Sequence, residues 1–436
     1  MRRLHSGQAS VFVLAMVASL VTAFAVSFGA GQLVNDKMRL VNAADAAAYS
    51  AAQWEARSLN FQSYLNRAIV ANEVAIAQLV SLRSWSSYVA TLTQNGAAVA
   101  RWIPPLAGPV QTLERGWHAV DSSLQAVAPG LEAGISAWNV DVLATAEALA
   151  HQQALLAAAD LVGEVAHANE PRARVNEATR LLQVRNGAQW QNQFTDRYRR
   201  GGGDLRRFVD LLMKSRDGFT RSRRSGISVP LVRVARRGGT DLLAEHSWRG
   251  LDTLSVHVDL LVNSVEVPIG WGAAETRSRT VTQRGEHGGS LSSNPAASRR
   301  ALRGLRPSGL YRGVPEIRDV ITPSRQEERR LRYAVALQIP ESEILTPDRL
   351  LMPNGVRGPD GLVHSLAVTM PAGGVHALGA AEVYFQRPSP RPDGRHEFPS
   401  LFSPYWQARL VAVTANERQL TAPGKGLTVD PYALLP

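Results

Sequence analysis

Residues Ala9 to Val34 read ASVFVLAMVASLVTAFAVSFGAGQLV, 26 positions inside a window between Arg3 and Asp36 that contains no Asp, Glu, Lys or Arg. At a rise of about 1.5 Å per residue, a helix of this length exceeds the roughly 30 Å hydrocarbon core of a bilayer and spans it with some tilt. A secretory signal peptide is the competing reading, because Ala23-Phe24-Ala25 imitates a small-residue cleavage site. Its apolar region would be only about 7–15 residues long. Arg2 and Arg3 precede the span, while Asp36, Lys37 and Arg39 nearly balance after it. The positive-inside rule therefore predicts a cytoplasmic tail (1–8), an anchor (9–34) and a chain that lies outside the cytoplasm beyond residue 35. Ala144–Val165 is the next most apolar stretch, and Glu147, His151, Asp160 and Glu164 interrupt it. A single-span protein is expected.

Outward from the anchor, no proline and no glycine occurs between Leu33 and Gly96. Leu65, Ile69, Ile76 and Leu79 fall on one stripe at helical spacing, interrupted by Asn72. The membrane helix is predicted to continue as one stalk to about Thr93, ending before Pro104-Pro105 and Gly108-Pro109. A second helix fits 109–127, before Pro129-Gly130. A third fits 131–168, with Leu131, Ile135, Trp138 and Val142 on one face. A fourth runs from Glu170-Pro171 to about Arg185. Residues 35–190 thus read as a helical stalk or antiparallel bundle, the third helix laying its stripe on the stalk and Asn72 setting the register.

The chain has 436 residues, room for about three domains. It contains no cysteine, which excludes disulfides, thiolate metal sites and cysteine nucleophiles. An apolar share of 45% with 19% charged residues excludes wholesale disorder. The net charge of +11 is concentrated in the middle. Residues 1–180 carry 12 basic against 13 acidic side chains, 181–330 carry 27 against 15, and 331–436 carry 9 of each. Residues 191–308 read as a basic, partly irregular segment. Phe208, Leu211, Leu212 and Met213 mark a short amphipathic helix in it, and 275–308 reads as a Ser-, Gly- and Arg-rich loop. Leu331, Tyr333, Val335, Leu337 and Ile339 then alternate with period two, and His376–Phe385 and Tyr405–Val413 look similar. A β-rich domain is expected over 309–436, presented away from the membrane, with the basic segment between it and the stalk. The fold class is α+β: a transmembrane helix continuing into a long helical hairpin or bundle, followed by sheet. No tandem repeat at a fixed period is evident.

The residues give no support to an enzyme. The ten histidines are scattered without HExxH-type spacing, Gly424-Lys425 lacks the rest of a phosphate loop, and no GxGxxG or GxSxG is present. No catalytic residue, metal ligand or cofactor is assigned. Arg197 to Arg237 holds 13 basic residues against Asp204, Asp210 and Asp217, which suits either a solvated surface or contact with an anionic partner. Arg221, Arg223, Arg224, Arg233, Arg236 and Arg237 are the candidate docking residues, for lipid headgroups or for an acidic protein face. Nucleic acid is not expected outside the cytoplasm.

Gly7-Gln8-Ala9-Ser10-Val11, the apolar span, and then Asn42-Ala43-Ala44-Asp45-Ala46-Ala47-Ala48 resemble the N-terminal module of TadE/TadG-like proteins of Flp pilus assembly, the tight-adherence system. Asn66 to Gln78 and Leu401 to Leu410 look similar to longer TadG-related proteins. In TadE-type pseudopilins a glutamate lies five residues after the cleavage glycine. Phe12 stands there in this chain, which implies an anchor retained in the TadG manner. Asp121-Ser122-Ser123, followed by Gln125, does not form the DxSxS of the von Willebrand domain that some TadG proteins carry. The resemblance implies a non-enzymatic assembly or secretion scaffold in the bacterial inner membrane, facing the periplasm, with other pilus-assembly proteins as partners. A membrane-anchored envelope binding protein outside the pilus system is the alternative.

Overall fold

The computed structural model describes residues 8–190, 194–198, 203–259, 264–320, 330–344 and 374–421. A single helix, α1 (Gln8–Ala100), joins the apolar span to the stalk without interruption. Its 93 residues extend about 140 Å. A tight turn at 101–103 reverses the chain, and Pro104, whose missing N–H costs nothing at a helix start, opens α2 (Pro104–Ala137). A π-helical turn (Trp138–Leu143) leads into α3 (Ala144–Asn169), which Pro171 prevents from continuing. The return path is antiparallel to α1. Ser86 donates to Asp121, Arg83 pairs with Glu132, Asn72 donates to Asn139, and Arg172 pairs with Asp36. Asn72 thus meets an asparagine on the opposite helix within the stripe it was read to interrupt.

Two expectations about this hairpin fail. The turn expected at Pro129-Gly130 is absent, since Pro129 lies within α2. Proline removes one helical hydrogen bond, but Ala128, Glu132 and Ser136 are buried on either side of it and Arg83 grips Glu132. Packing carries the helix through. Of the expected stripe, Leu131, Trp138 and Val142 face solvent, and only Ile135 packs against the core that holds Ile69 and Ile76 of α1. The surface that meets α1 is polar and alanine-rich instead, from Glu132, Ser136 and Asn139 to Ala154, Ala158 and Ala166.

The remaining elements hang on this spine. They are β1 (Arg174–Val175), α4 (Glu177–Gln189), β2 (Thr195–Arg197), α5 (Gly203–Ser215), α6 (Gly218–Arg221), β3 (Ser225–Val229), β4 (Val232–Leu243), β5 (Ser247–Asp259), β6 (Ser264–Arg277), α7 (Ser290–Ser293), α8 (Pro295–Arg303), β7 (Arg318–Val320), β8 (Leu331–Ile339), β9 (Val375–Phe385), β10 (Trp406–Leu410) and α9 (Ala415–Thr421). All strand pairs between them are antiparallel, in the orders β3-β4-β5-β6, β1-β8-β9-β10 and β2-β7. Strands therefore begin well before residue 309, inside the segment read as partly irregular, and the expected loop at 275–308 contains α8. Gly238 and Gly239 lie within β4 opposite Asp252 and Leu251.

Order along the spine is not chain order. The β8-β9-β10 sheet packs near the anchor: Lys37 donates to the carbonyl of His376, Tyr333 to Glu55, and Asn60 to the carbonyl of Trp406. The β3–β6 sheet packs far from it: Trp248 donates to Glu73, Ser84 to Asp252, and Asn95 to the carbonyl of Ile269. The expectation that the C-terminal sheet is carried away from the membrane is corrected. Helix α3 brings the chain back to the base, and the last strands close there.

Both sheets meet α1 in the same manner. The tetrapeptide Gly-Ala-Ala-Glu occurs at 272–275 in β6 and at 379–382 in β9. In each case the glycine lies against α1 backbone, at Ser84–Tyr88 and at Ala44–Asp45 respectively. Each glutamate is buried opposite an arginine of the neighbouring strand, Arg249 for Glu275 and Arg332 for Glu382. An aromatic side chain in each sheet, Trp248 or Tyr333, donates to a buried glutamate of α1.

Candidate functional site

The candidate site is the segment from the anchor through the alanine-rich motif, together with what the fold places against it. Its first part is bare. Val11, Phe12, Leu14 and Phe24 are all exposed, and none of the most apolar 18-residue window is buried. A stripe of this size facing water costs roughly 25 cal/mol per Å² of apolar surface. One long apolar N-terminal helix with no protein cover fits a single-pass membrane anchor.

At the end of the apolar run the hairpin is tied shut. Arg172 holds Asp36 with Nη2 2.7 Å from Oδ1, and reaches Glu170 through Nε at 2.9 Å. Asp36 and Glu170 are buried. Hydrogen bonds from Arg172 hold the Glu170 carboxyl below its ordinary value, while those two carboxylates push the guanidinium upward. Single carboxylates two residues beyond an apolar span carry no signal of this clamp, because its arginine lies 136 residues further on.

The next turns are the alanine motif. Asn42 is exposed, Ala43 and Ala44 are fully buried, and Asp45 is half-buried, its carboxyl raised by desolvation. Ala43, Ala44, Ala47, Ala48, Ala51 and Ala52 join Ala154, Ala158 and Val162 of α3 and Leu337, Val375 and Ala377 of the sheet in one apolar core. Small side chains on two faces of one helix let a helix and a sheet both approach its backbone closely. The motif is thus a platform between two partners. Gln8 begins α1, and Gly7 lies outside the described residues.

The basic segment is divided by its environment. Arg221, Arg224 and Arg233 are exposed, and Arg236 and Arg237 are half-buried, Arg236 over the ring of Tyr88 and Arg237 donating to the carbonyl of Ser225. Arg223 is no docking residue. It is buried, with Nε 2.6 Å and Nη2 2.9 Å from the two oxygens of Asp252, which also accepts from Ser84. The sequence places Arg223 beside Arg224, and only the folded chain shows one buried on Asp252 and the other exposed.

Glu73, Glu147 and His151 are also buried. Desolvation raises the Glu73 carboxyl, against hydrogen bonds from Trp248, Tyr311 and Asn139. Burial lifts Glu147 to about 7, opposed by Arg318 and Arg197, and lowers His151, stacked on Trp190, to about 3. Among the described residues no group of three or more His, Asp or Glu side chains is placed to hold a metal ion.

Together these features define an anchored spine protein: one helix crosses from an uncovered apolar segment into a packed platform and then carries two sheets. Residues 7–53, the anchor and the platform, match the model of the TadE/G-like Flp pilus-assembly family. The match covers 47 of the 436 residues, in the region where the motif resemblance lies. No curated protein and no solved structure matches the chain.

Proposed function

We propose that this chain is a non-enzymatic, membrane-anchored scaffold of Flp pilus (tight-adherence) assembly, retained in the inner membrane with its N-terminus in the cytoplasm and its bulk in the periplasm. The observation that carries this reading is the match of residues 7–53 to the TadE/G-like family together with the uncovered apolar helix they contain. The scaffold role is supported by the architecture, in which a helix of about 140 Å presents surfaces at fixed distances from the membrane. The other pilus-assembly proteins are the partners. Arg221, Arg224 and Arg233 sit on or beside the sheet packed around Ser84, about 75 Å along α1 from Val34. With the spine upright, lipid headgroups at the anchor lie far beyond the roughly 8 Å over which such charges act. This reading gives the exposed arginines an acidic protein face and not anionic lipid.

Deletion of the gene tests the role: loss of surface pili and adherence, restored by the intact chain, is expected. Unchanged pili would leave the envelope binding protein as the better reading. That alternative draws on a groove of about 750 Å³ lined largely by the segment joining β9 to β10, including Arg387 and Arg391, with Arg409 of β10. Each of these arginines is already paired to an acid, which weakens it as an anion site. Reporter fusions after residues 60 and 300 are expected to be active only in exported form, and N-terminal sequencing is expected to find residues 8–34 retained.

A further inference from the structure

Leu106, Leu113, Val120 and Val127 of α2 follow one another at seven-residue steps, and all four are exposed. The line continues to Leu131 and Trp138, in further steps of four and seven residues, with exposures from 45% to 61%. From Leu106 to Trp138 the stripe keeps to one face of α2 for about 48 Å. Seven-residue apolar spacing is the pattern that a second helix covers, and none of the described residues covers it. Gly116, Gly130 and Gly134 have open space where a side chain would begin. Glycine weakens a helix interior, and a closely approaching backbone is what gives it a use there.

We infer that this stripe is the interface with a second copy of the same chain, the two α2 helices lying parallel about a two-fold axis along the membrane normal. Three observations select that occupant. Between 106 and 138 the charged residues are Glu114, Arg115, Asp121 and Glu132. Glu114 and Arg115 lie about 100° and 200° round the helix from Leu113, Glu132 is buried, and Asp121 is bonded to Ser86 and Ser87. Self-pairing in parallel therefore brings no free like charges together, whereas a charged partner helix would find nothing to read. Six half-exposed apolar side chains at about 100 Å² each supply on the order of 600 Å² per protomer, at the lower end of what a stable interface of standard size buries. Finally, two anchors in one bilayer allow only the parallel sense, in which each stripe residue lies against its own copy. That sense rests on the anchor reading. Resistance to alkaline extraction from membranes tests the anchor alone, so its failure and that of the pairing are distinguishable.

The chain has no cysteine, so single substitutions in the full-length protein in its native membrane report the pairing directly. Under mild oxidation Val120→Cys and Val127→Cys are each expected to give a disulfide-linked species at twice 47.2 kDa, whereas Ser122→Cys, on the opposite face of α2, stays monomeric. Cross-linking at Ser122→Cys equal to that at the stripe, products of another mass, or no product at either stripe position would overturn the inference. As a second measurement, Val120→Asp with Val127→Asp is expected to cut recovery of an untagged copy with a tagged one at least tenfold. Because both side chains are exposed, protease resistance should be unchanged; undiminished recovery would count against the pairing.

Discussion

A methyl group placed on Gly379 would lie 2.6 Å from the backbone nitrogen of Asp45, and closer still to the carbonyl of Ala44. The last sheet of the chain therefore rests directly on the backbone of the family-matched helix. Gly379→Ala is expected to force the sheet off the helix and to cost on the order of 1–3 kcal/mol. Gly272→Ala should behave alike, since its methyl would meet the carbonyl carbon of Ser87 at 2.8 Å. Gly96→Ala, with nothing within 4 Å, should instead stabilise by about 0.5–1 kcal/mol. Thermal melts of the three variants check the contrast.

Glu73 accepts from Trp248 Nε1 at 3.0 Å, Tyr311 Oη at 2.7 Å and Asn139 Nδ2 at 3.0 Å, joining the hairpin to the distal sheet. Glu73→Leu orphans three buried donors, each worth about 1–3 kcal/mol when left unmade. The expected outcome is loss of protease resistance in residues 203–277. Glu73→Gln keeps one acceptor and should lose less; equal loss in the two variants would refute the hydrogen-bond account.

For Glu147, buried and lifted from 4.5 to about 7, the neutral form is the one the fold favours. Its contribution to stability is fully present below pH 4.5 and is lost as pH rises through 7. A Glu147→Gln variant should match the wild type near pH 4.5 and exceed it at pH 8 by up to about 3 kcal/mol. His151, held neutral by burial at about 3, acts on the other limb. Its stabilisation is complete above 6.5 and declines as pH falls toward 3. Melting profiles from pH 4 to 9 should show the Gln variant flattening only the alkaline limb.

Charge reversal separates the arginines. Arg223→Glu would set two carboxylates together in the buried pocket of Asp252, and should unfold the distal sheet. Removing only the partner charge, in Arg223→Ala, is expected to cost about 3–5 kcal/mol. Arg221→Glu and Arg224→Glu, at exposed positions, should change stability by less than about 0.5 kcal/mol. If their capture of other pilus-assembly proteins also stays unchanged, the exposed arginines are solvated surface only.

The anchor and the spine were legible because a long helix needs only local information: apolar length, then no glycine or proline until Gly96. Strand β8 was legible for the same reason. Its alternating Leu331, Tyr333, Val335, Leu337 and Ile339 are all buried. The hairpin's inner face was not, because apolar periodicity points to a buried face only when the chain itself supplies the cover. Here Leu131 and Trp138 face outward, while Glu132 and Asn139 face in, held by Arg83 and Asn72. The site was half visible. The alanine motif could be read from the sequence, but its platform role depends on Gly379, and the twofold Gly-Ala-Ala-Glu was the available clue.

Synthesis runs from the N-terminus, yet the platform at Asp45 receives its cover from Gly379, 334 positions later. At about 5–20 residues per second that interval is roughly 17 to 67 s. For that time the alanine face on the membrane-proximal spine waits open, while the distal sheet can already close on Glu73 and Ser84 once β6 has been made. The protein is therefore assembled from its far end toward the bilayer, and its base is the last part to be locked. A chain truncated between β6 and β9 would be expected to stand with a finished tip and an open foot. Quality control acting at the membrane surface would meet that open foot first.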